Sequence, residues 1–168
     1  MVSDTHGLLR PEARAALRGV DCILHAGDIG GQEILDALAQ VAPVYAIRGN
    51  NDVGHGWAAD LPDTRSVVLA GVPLFLIHDV KALRALVLPS DVRVVVSGHS
   101  HVPKAEMRQG VLYLNPGSAG ARRFRLPVSI ALLRLEAGRV RHELVELPIP
   151  PHRSRRSAVD GSAASEGR

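Results

Sequence analysis

The chain has 168 residues, a formal charge of +3, 46% apolar, 22% charged and only 3% aromatic residues. At about 100–200 residues per domain it is one domain, and its single cysteine, Cys22, excludes an intramolecular disulfide. So few aromatics argue against a stacking platform for single-stranded nucleic acid, and no apolar run approaches the ~18 residues of a membrane span. Met1-Val2-Ser3-Asp4 lacks the basic start and apolar stretch of a signal peptide, so a cytoplasmic protein is expected.

Pro11 to Gly19 reads as a short helix, with proline early and glycine at its end. Val20 to Ala26 reads as a strand, with Cys22 expected inside it as a buried, inert thiol. Gln32 to Val41 places Ile34, Leu35, Leu38 and Val41 at helical spacing; Pro43 stops the helix and Val44 to Ile47 is the next strand. Ser66 to Leu69 and Val72 to Ile77 flank Ala70-Gly71 as a hairpin. Val80 to Leu88 is expected as a short helix, the β-branched run Val92 to Val96 as a strand, and Val111 to Leu114 as another. Val128 to Leu135 and Arg139 to Leu147 form a second hairpin about Ala137-Gly138. Strand and helix alternate in the first half and strands dominate the second, which suggests stacked sheets with helices outside. The domain is expected over residues 1–147, with 148–168 a disordered tail rich in Pro, Ser and Arg.

The informative residues follow the strands. Asp4-Thr5-His6 follows Val2-Ser3, Gly27-Asp28 follows Ala26, Gly49-Asn50 follows Ile47-Arg48, His78 follows Ile77, and Gly98-His99-Ser100-His101 follows Val96. Ligands of open α/β sheets bind beyond the carboxyl ends of strands, and glycine there permits tight turns and close approach. Imidazole and carboxylate together suit divalent Mn, Fe, Zn or Ni. Asp4, His6, Asp28, Asn50, His78, His99 and His101 are too many ligands for one tetrahedral zinc and fit two metals sharing a carboxylate, an arrangement that clamps a phosphoryl group.

The ordered pattern D-x-H, G-D, G-N, lone His and G-H-x-H resembles the calcineurin-like metallophosphoesterases, in particular the small bacterial and archaeal phosphodiesterases of the YfcE type. The resemblance covers residues 2–101 and extends through Asn115-Pro116-Gly117-Ser118. It implies an α/β fold of two stacked mixed β-sheets flanked by helices, a four-layer α/β/β/α sandwich. It also implies two divalent cations, manganese first among them. One is held by Asp4, His6, Asp28 and His101, the other by Asp28, Asn50, His78 and His99, with Asp28 bridging. A metal-bridging hydroxide would attack phosphorus in line, which makes Asp28, Asn50 and His99 the catalytic candidates. The expected partner is a small phosphate ester, not a membrane or a long nucleic acid; a homo-oligomer is admissible. A protein-interaction scaffold of the same fold, as one eukaryotic retromer subunit is, is the rival reading. The filled ligand positions favour the enzyme.

Two departures from the pattern matter. Many relatives carry a histidine after Gly-Asn as a proposed general acid; here Asn51 stands there. Asp79 replaces the frequent glycine after His78, as either a partner of the site or a solvated turn carboxylate. Asn51 and Arg48 are the candidate substrate contacts, although for Arg48 an ion pair beside the site is the leading reading. Arg122, Arg123 and Arg125 either gather anionic substrate or face solvent. His25 reads as a core histidine, His55 as an exposed loop residue with a smaller claim to be a proton donor, and His142 and His152 as surface residues. Only three residues precede Asp4, fewer than the usual strand, so the natural start is expected upstream of Met1.

Overall fold

The computed structural model describes residues 1–149. In chain order the elements are α1 (Pro11–Ala16), β1 (Ile23–His25), α2 (Gln32–Ala39), β2 (Val44–Ala46), β3 (Thr64–Leu69), β4 (Val72–Ile77), β5 (Val94–Val96), β6 (Lys104–Arg108), β7 (Val111–Asn115), β8 (Ser129–Glu136) and β9 (Arg139–Glu146). Short 3-10 helices occupy Gly56–Ala58 and Val80–Ala85. α1 has proline in its first turn, where a missing N–H costs nothing. α2 buries Ile34 and Leu38, one turn apart on one stripe. The expected helix over residues 80–88 is a 3-10 turn that ends at Ala85, capped by Asp79 Oδ1 accepting from Lys81 N–H at 2.9 Å. Cys22 lies just before β1 and is half-buried, because the strand begins one residue after it.

Hairpins β3–β4 and β8–β9 form as expected, with Ala70-Gly71 and Ala137-Gly138 both at positive φ, the geometry of two-residue turns that match strand twist. A third hairpin, β6–β7, turns at Gln109-Gly110 in the same way. The sequence reading passed over β6, since Lys-Ala-Glu-Met-Arg has little strand propensity. Its charges suit it to the edge it occupies.

β3-β4-β5-β7-β6 form one sheet, parallel at its centre (β4, β5, β7) and antiparallel at both edges. β1 pairs parallel with β2, and β8 antiparallel with β9. Residues 1–3 stitch these two ribbons together. Val2 N–H donates to Leu24 O at 2.9 Å and Ala26 N–H to Val2 O at 3.0 Å; on the other side Ala131 N–H donates to Met1 O at 3.0 Å. Alternation then sorts the core. Leu24, Ala26 and Ala131 face the five-stranded sheet and pack on Leu74, Leu76, Val94, Val96 and Leu114. Ile23 and Ile130 face the other way, onto Leu17, Ile34 and Leu38 of the helical side. The outer face of the five-stranded sheet is covered by Leu83 and Leu88 packing on Phe75 and Val95. This is the expected mixed α/β arrangement of stacked sheets. Residues 150–168, most of the expected tail, lie outside the described residues, whereas Ile149 still packs on the helical-side core. Among the described residues, no helix is long and apolar enough to cross a membrane.

Leu76 is fully buried between the sheets. Leu76→Ala is expected to cost about 2–5 kcal/mol of unfolding free energy with an unchanged slope in urea denaturation.

Candidate metal centre

Residues 1–3, β1 and β2 lie in one layer and β4 and β5 in the other, and all end on the same side. The loops that leave them therefore converge from both sheets. Asp4, His6 and His101 bring ligand atoms within 4.8 Å of one another, and so do Asp4, Asp28 and His78. His101 Nε2 lies 3.3 Å from Asp4 Oδ1 and 3.4 Å from His6 Nε2; Asp28 Oδ2 lies 3.4 Å from His78 Nε2 and 3.7 Å from His6 Nε2. Asp28 Oδ2 thus faces a histidine of each group. Asn50 and His99 stand at the exposed rim, paired through Asn50 Oδ1 and His99 Nδ1 at 3.0 Å, while the His99 backbone N–H donates to Asp4 Oδ2 at 3.1 Å. Asp79 Oδ2 is 4.0 Å from His99 Nε2.

The chemistry of this donor set fits divalent cations. Asp4 Oδ1, His78 Nε2 and His101 Nδ1 are buried with no hydrogen-bond partner, and the first two belong to the clusters. Orphaned buried acceptors are costly unless something else occupies them. His78 Nδ1 lies 2.7 Å from Ala26 O and must donate its proton there, so in the neutral ring the lone pair is on Nε2, which faces Asp28. Donor atoms about 3.0–3.5 Å apart match ligands that share a cation at bonds of about 2.1 Å.

Protonation follows the same logic. Burial, with Arg123 and His6 nearby, holds His101 down to about 4, and burial also lowers His6. Burial would raise Asp28, but His78 and the Asn51 backbone N–H outweigh it and hold the carboxyl well below its usual range. Burial lifts Asp4 to about 6, with Asp28 adding to the rise. Burial works against charge on His78, yet the facing Asp28 carboxylate and the Ala26 carbonyl hold its pKa above the ordinary value. At neutral pH His6 and His101 are neutral donors and both carboxylates are ionised, the states a metal requires.

The turns are strained. Asp4, His6, Asp28, His99 and His101 all have φ between 46° and 65°. Asp and His tolerate this region better than most residues, but it still costs roughly 1–2 kcal/mol each. Strain of this kind persists only where the surroundings over-determine it. A Cβ on Gly49 would lie 2.2 Å from Asp28 Oδ1, so only glycine lets the β2 loop approach that carboxylate.

Two side chains beneath the ligands supply the restraint. His25 Nε2 lies 2.9 Å from Thr5 Oγ1, whose own proton goes to Ile29 O at 2.8 Å; His25 Nδ1 accepts from Gly27 N–H at 3.2 Å. One proton satisfies the ring, and the ring joins the Asp4–His6 turn to the Asp28 turn. This is the core role expected of His25. Asp52 was not singled out in the sequence, yet its buried carboxylate accepts from Ile29, Gly30 and Gly49 N–H at 2.8–3.1 Å, tying the Asp28 loop to the Asn50 loop. Its only sequence signal is its place two residues after Asn50.

The other candidates are placed as follows. Asn51 donates through its backbone N–H to Asp28 Oδ1 at 2.9 Å and through Nδ2 to Oδ2 at 2.7 Å, so it orients Asp28. Arg48 is engaged by Asp63 through two hydrogen bonds at 2.5 and 3.1 Å. His55 is exposed, with its ring centroid 6.3 Å from that of Trp57. His142 is exposed on β9, and His152 lies outside the described residues. Ser118 Oγ donates to the Asp4 carbonyl at 2.9 Å, and Asn115 Nδ2 to Gly98 O at 2.6 Å, so the Asn115–Ser118 segment braces two ligand loops.

Asp52→Ala strands three backbone N–H groups, two of them buried. It is expected to cost about 3 kcal/mol or more in chemical denaturation and to weaken metal binding about 10–100-fold in a chelator competition. His25 supplies a pH dependence. Burial, then the neighbouring His78, depresses its pKa to about 3, so between pH 6.5 and 3 the unfolded chain binds a proton that the folded chain refuses. Its contribution to stability is intact above pH 6.5 and is lost as the pH falls toward 3. In NMR titration of the folded protein the His25 ring should stay neutral down to pH 4, and His25→Gln should flatten the loss of stability across that window.

The family model of the calcineurin-like phosphoesterase superfamily domain matches residues 1–138. A probable metallophosphoesterase of Methanothermobacter thermautotrophicus is 34% identical over 166 residues, covering 92% of this chain and 95% of that protein. The probable metallophosphoesterase YsnB of Bacillus subtilis is 32% identical over 150 residues, covering 81% and 83%. Among solved structures, a novel archaeal phosphodiesterase is 25% identical with a TM-score of 0.68, covering 86% of this chain and 97% of that one. Vacuolar Protein Sorting 29 from Cryptosporidium parvum, at 20% identity, TM-score 0.67 and coverage of 87% and 95%, shares the fold. The order of ligand turns, their convergence from two sheets and these matches together place the chain in the calcineurin-like phosphoesterase superfamily.

Proposed function

We propose that the chain is a phosphodiesterase that works with two divalent cations, manganese first among them. The observation that carries this reading is the shared Asp4–Asp28 centre, with His6 and His101 on one side and His78 on the other. Asp28 is the bridging ligand in this reading, and Asn50 and His99 complete the second group from the rim. Bound cations supply charge stabilisation to a phosphoryl group and lower the pKa of water.

The chain's own residues set the selectivity. Asn51 stands where a proton donor would serve the leaving oxygen, and it spends its amide on Asp28. An amide does not release a proton at neutral pH. Without general acid help, worth about 10²–10⁴ in rate, poor leaving groups depart slowly. Activated aryl diesters are therefore the favoured class and alkyl monoesters the disfavoured one. The scaffold reading draws on the Vacuolar Protein Sorting 29 neighbours, whose identities of 20–24% speak to fold alone.

The test is elemental analysis combined with an ester panel graded by leaving-group pKa. Activity should vanish on chelation, return with Mn²⁺, and fall steeply as leaving-group pKa rises, unchanged by His55→Ala. Asp28→Ala should lose turnover and paired metal binding together. A metal-loaded protein that hydrolyses none of the panel would leave the scaffold reading standing instead.

A further inference from the structure

Arg123 is held against the ligand cluster. Its Nη2 lies 3.4 Å from His6 Nε2, although the residue itself is exposed. The loop that leads to it is anchored on the Asp4–His6 turn. Ala119 N–H donates to Ser3 O at 3.0 Å, Ser118 Oγ to Asp4 O at 2.9 Å, and Arg10 Nε to Gly120 O at 2.7 Å. A Cβ on Gly120 would lie 2.1 Å from Thr5 O, so this loop rests directly on the Asp4–His6 turn. Leu126 N–H then closes a turn on Arg123 O at 3.0 Å.

Among the described residues Arg123 pairs with no carboxylate, whereas Arg48 is matched by Asp63 and Arg108 by Glu106. An unneutralised guanidinium beside imidazoles suited to a dication is unfavourable unless an anion joins it. The cluster's own carboxylates, Asp4 and Asp28, are buried and face the histidines. A guanidinium offers a planar fork of donors that matches two oxygens of a phosphoryl group. Of the residues the sequence offers for substrate, Arg48 and Asn51 are engaged by Asp63 and Asp28.

We infer that Arg123 is the substrate-contacting residue of this site, donating to non-bridging oxygens of the phosphoryl group. The inference rests on the phosphoesterase reading and adds the residue that recognises the anion. His6 lends its lone pair to a cation, and the guanidinium above it turns its donors to the phosphoryl oxygens.

The experiment uses the full metal-loaded chain with inorganic phosphate as the probe, by calorimetry, alongside KM and kcat for an aryl diester. Arg123→Ala should weaken phosphate binding and raise KM about 10–100-fold, the loss of a charge-assisted contact, with both metals retained by elemental analysis. Added guanidinium should restore part of the loss, Arg123→Lys only some of it because an ammonium has no fork, and Arg122→Ala should match wild type. Arg123→Ala that binds phosphate like wild type while wild type turns over would overturn this inference and leave the phosphoesterase reading intact. Loss of metal in Arg123→Ala would also overturn it, by making the residue a support of the cluster. A wild type that neither binds phosphate nor hydrolyses esters would overturn both.

Discussion

Two carboxylates, Asp4 and Asp28, are buried beside each other at the junction of two sheets. Like charges held together in a poorly solvated place repel, and burial penalises each of them separately. Asp4 shows the consequence in a pKa lifted to about 6 by burial first and Asp28 among the further causes. Asp28 escapes it through His78 and Asn51. Part of what surrounds the pair answers this repulsion: the His78 imidazole facing Asp28, a backbone N–H of His99 on Asp4, and the backbone N–H and Nδ2 of Asn51 on Asp28. Divalent cations are the natural complement of such a centre.

Holding that centre requires backbone that an unconstrained chain would avoid. Five of the seven ligand-type residues sit in left-handed conformations, and each of the strained turns is pinned from below. Asp52 and His25 pin the Asp28 turn, His25 and Ser118 the Asp4–His6 turn, and Asn115 the Gly98–His101 turn. These side chains never face the reacting centre, yet they convert a set of loops into a fixed array. The stability of the sandwich and the chemistry of its rim are therefore coupled through a few buried polar groups.

The site also separates two kinds of residue that resemble each other as letters. Arg48 precedes the Gly49-Asn50 motif and Arg123 follows the Asn115–Ser118 segment, but Asp63 neutralises one and no carboxylate among the described residues neutralises the other. His25 ends β1 and His78 follows β4, but His25 has both ring nitrogens satisfied while His78 has one committed to a carbonyl and one without a hydrogen-bond partner. Whether a polar side chain is structural or available for chemistry depends on which of its atoms are already spoken for.

Strand periodicity, turn glycines and the order of ligand-type residues were legible in the sequence, because they are local: a side chain's alternation, a glycine's tolerance and a motif's spacing need no distant partner. That legibility covered nearly every strand, the family resemblance and the residues gathered at the centre. It missed β6, whose pairing with β7 overrides the weak propensity of its residues, and it missed Asp52, whose three donors come from two other loops. It nominated Arg48 and Asn51 for substrate because both adjoin Gly49-Asn50, and it left Arg122, Arg123 and Arg125 between substrate and solvent. The tertiary structure alone decided that Asp63 and Asp28 engage them, and that a loop more than a hundred residues after His6 carries Arg123 to that histidine. Contacts between distant segments are set by how the two sheets stack and where their strands end together, and no single stretch of sequence encodes that.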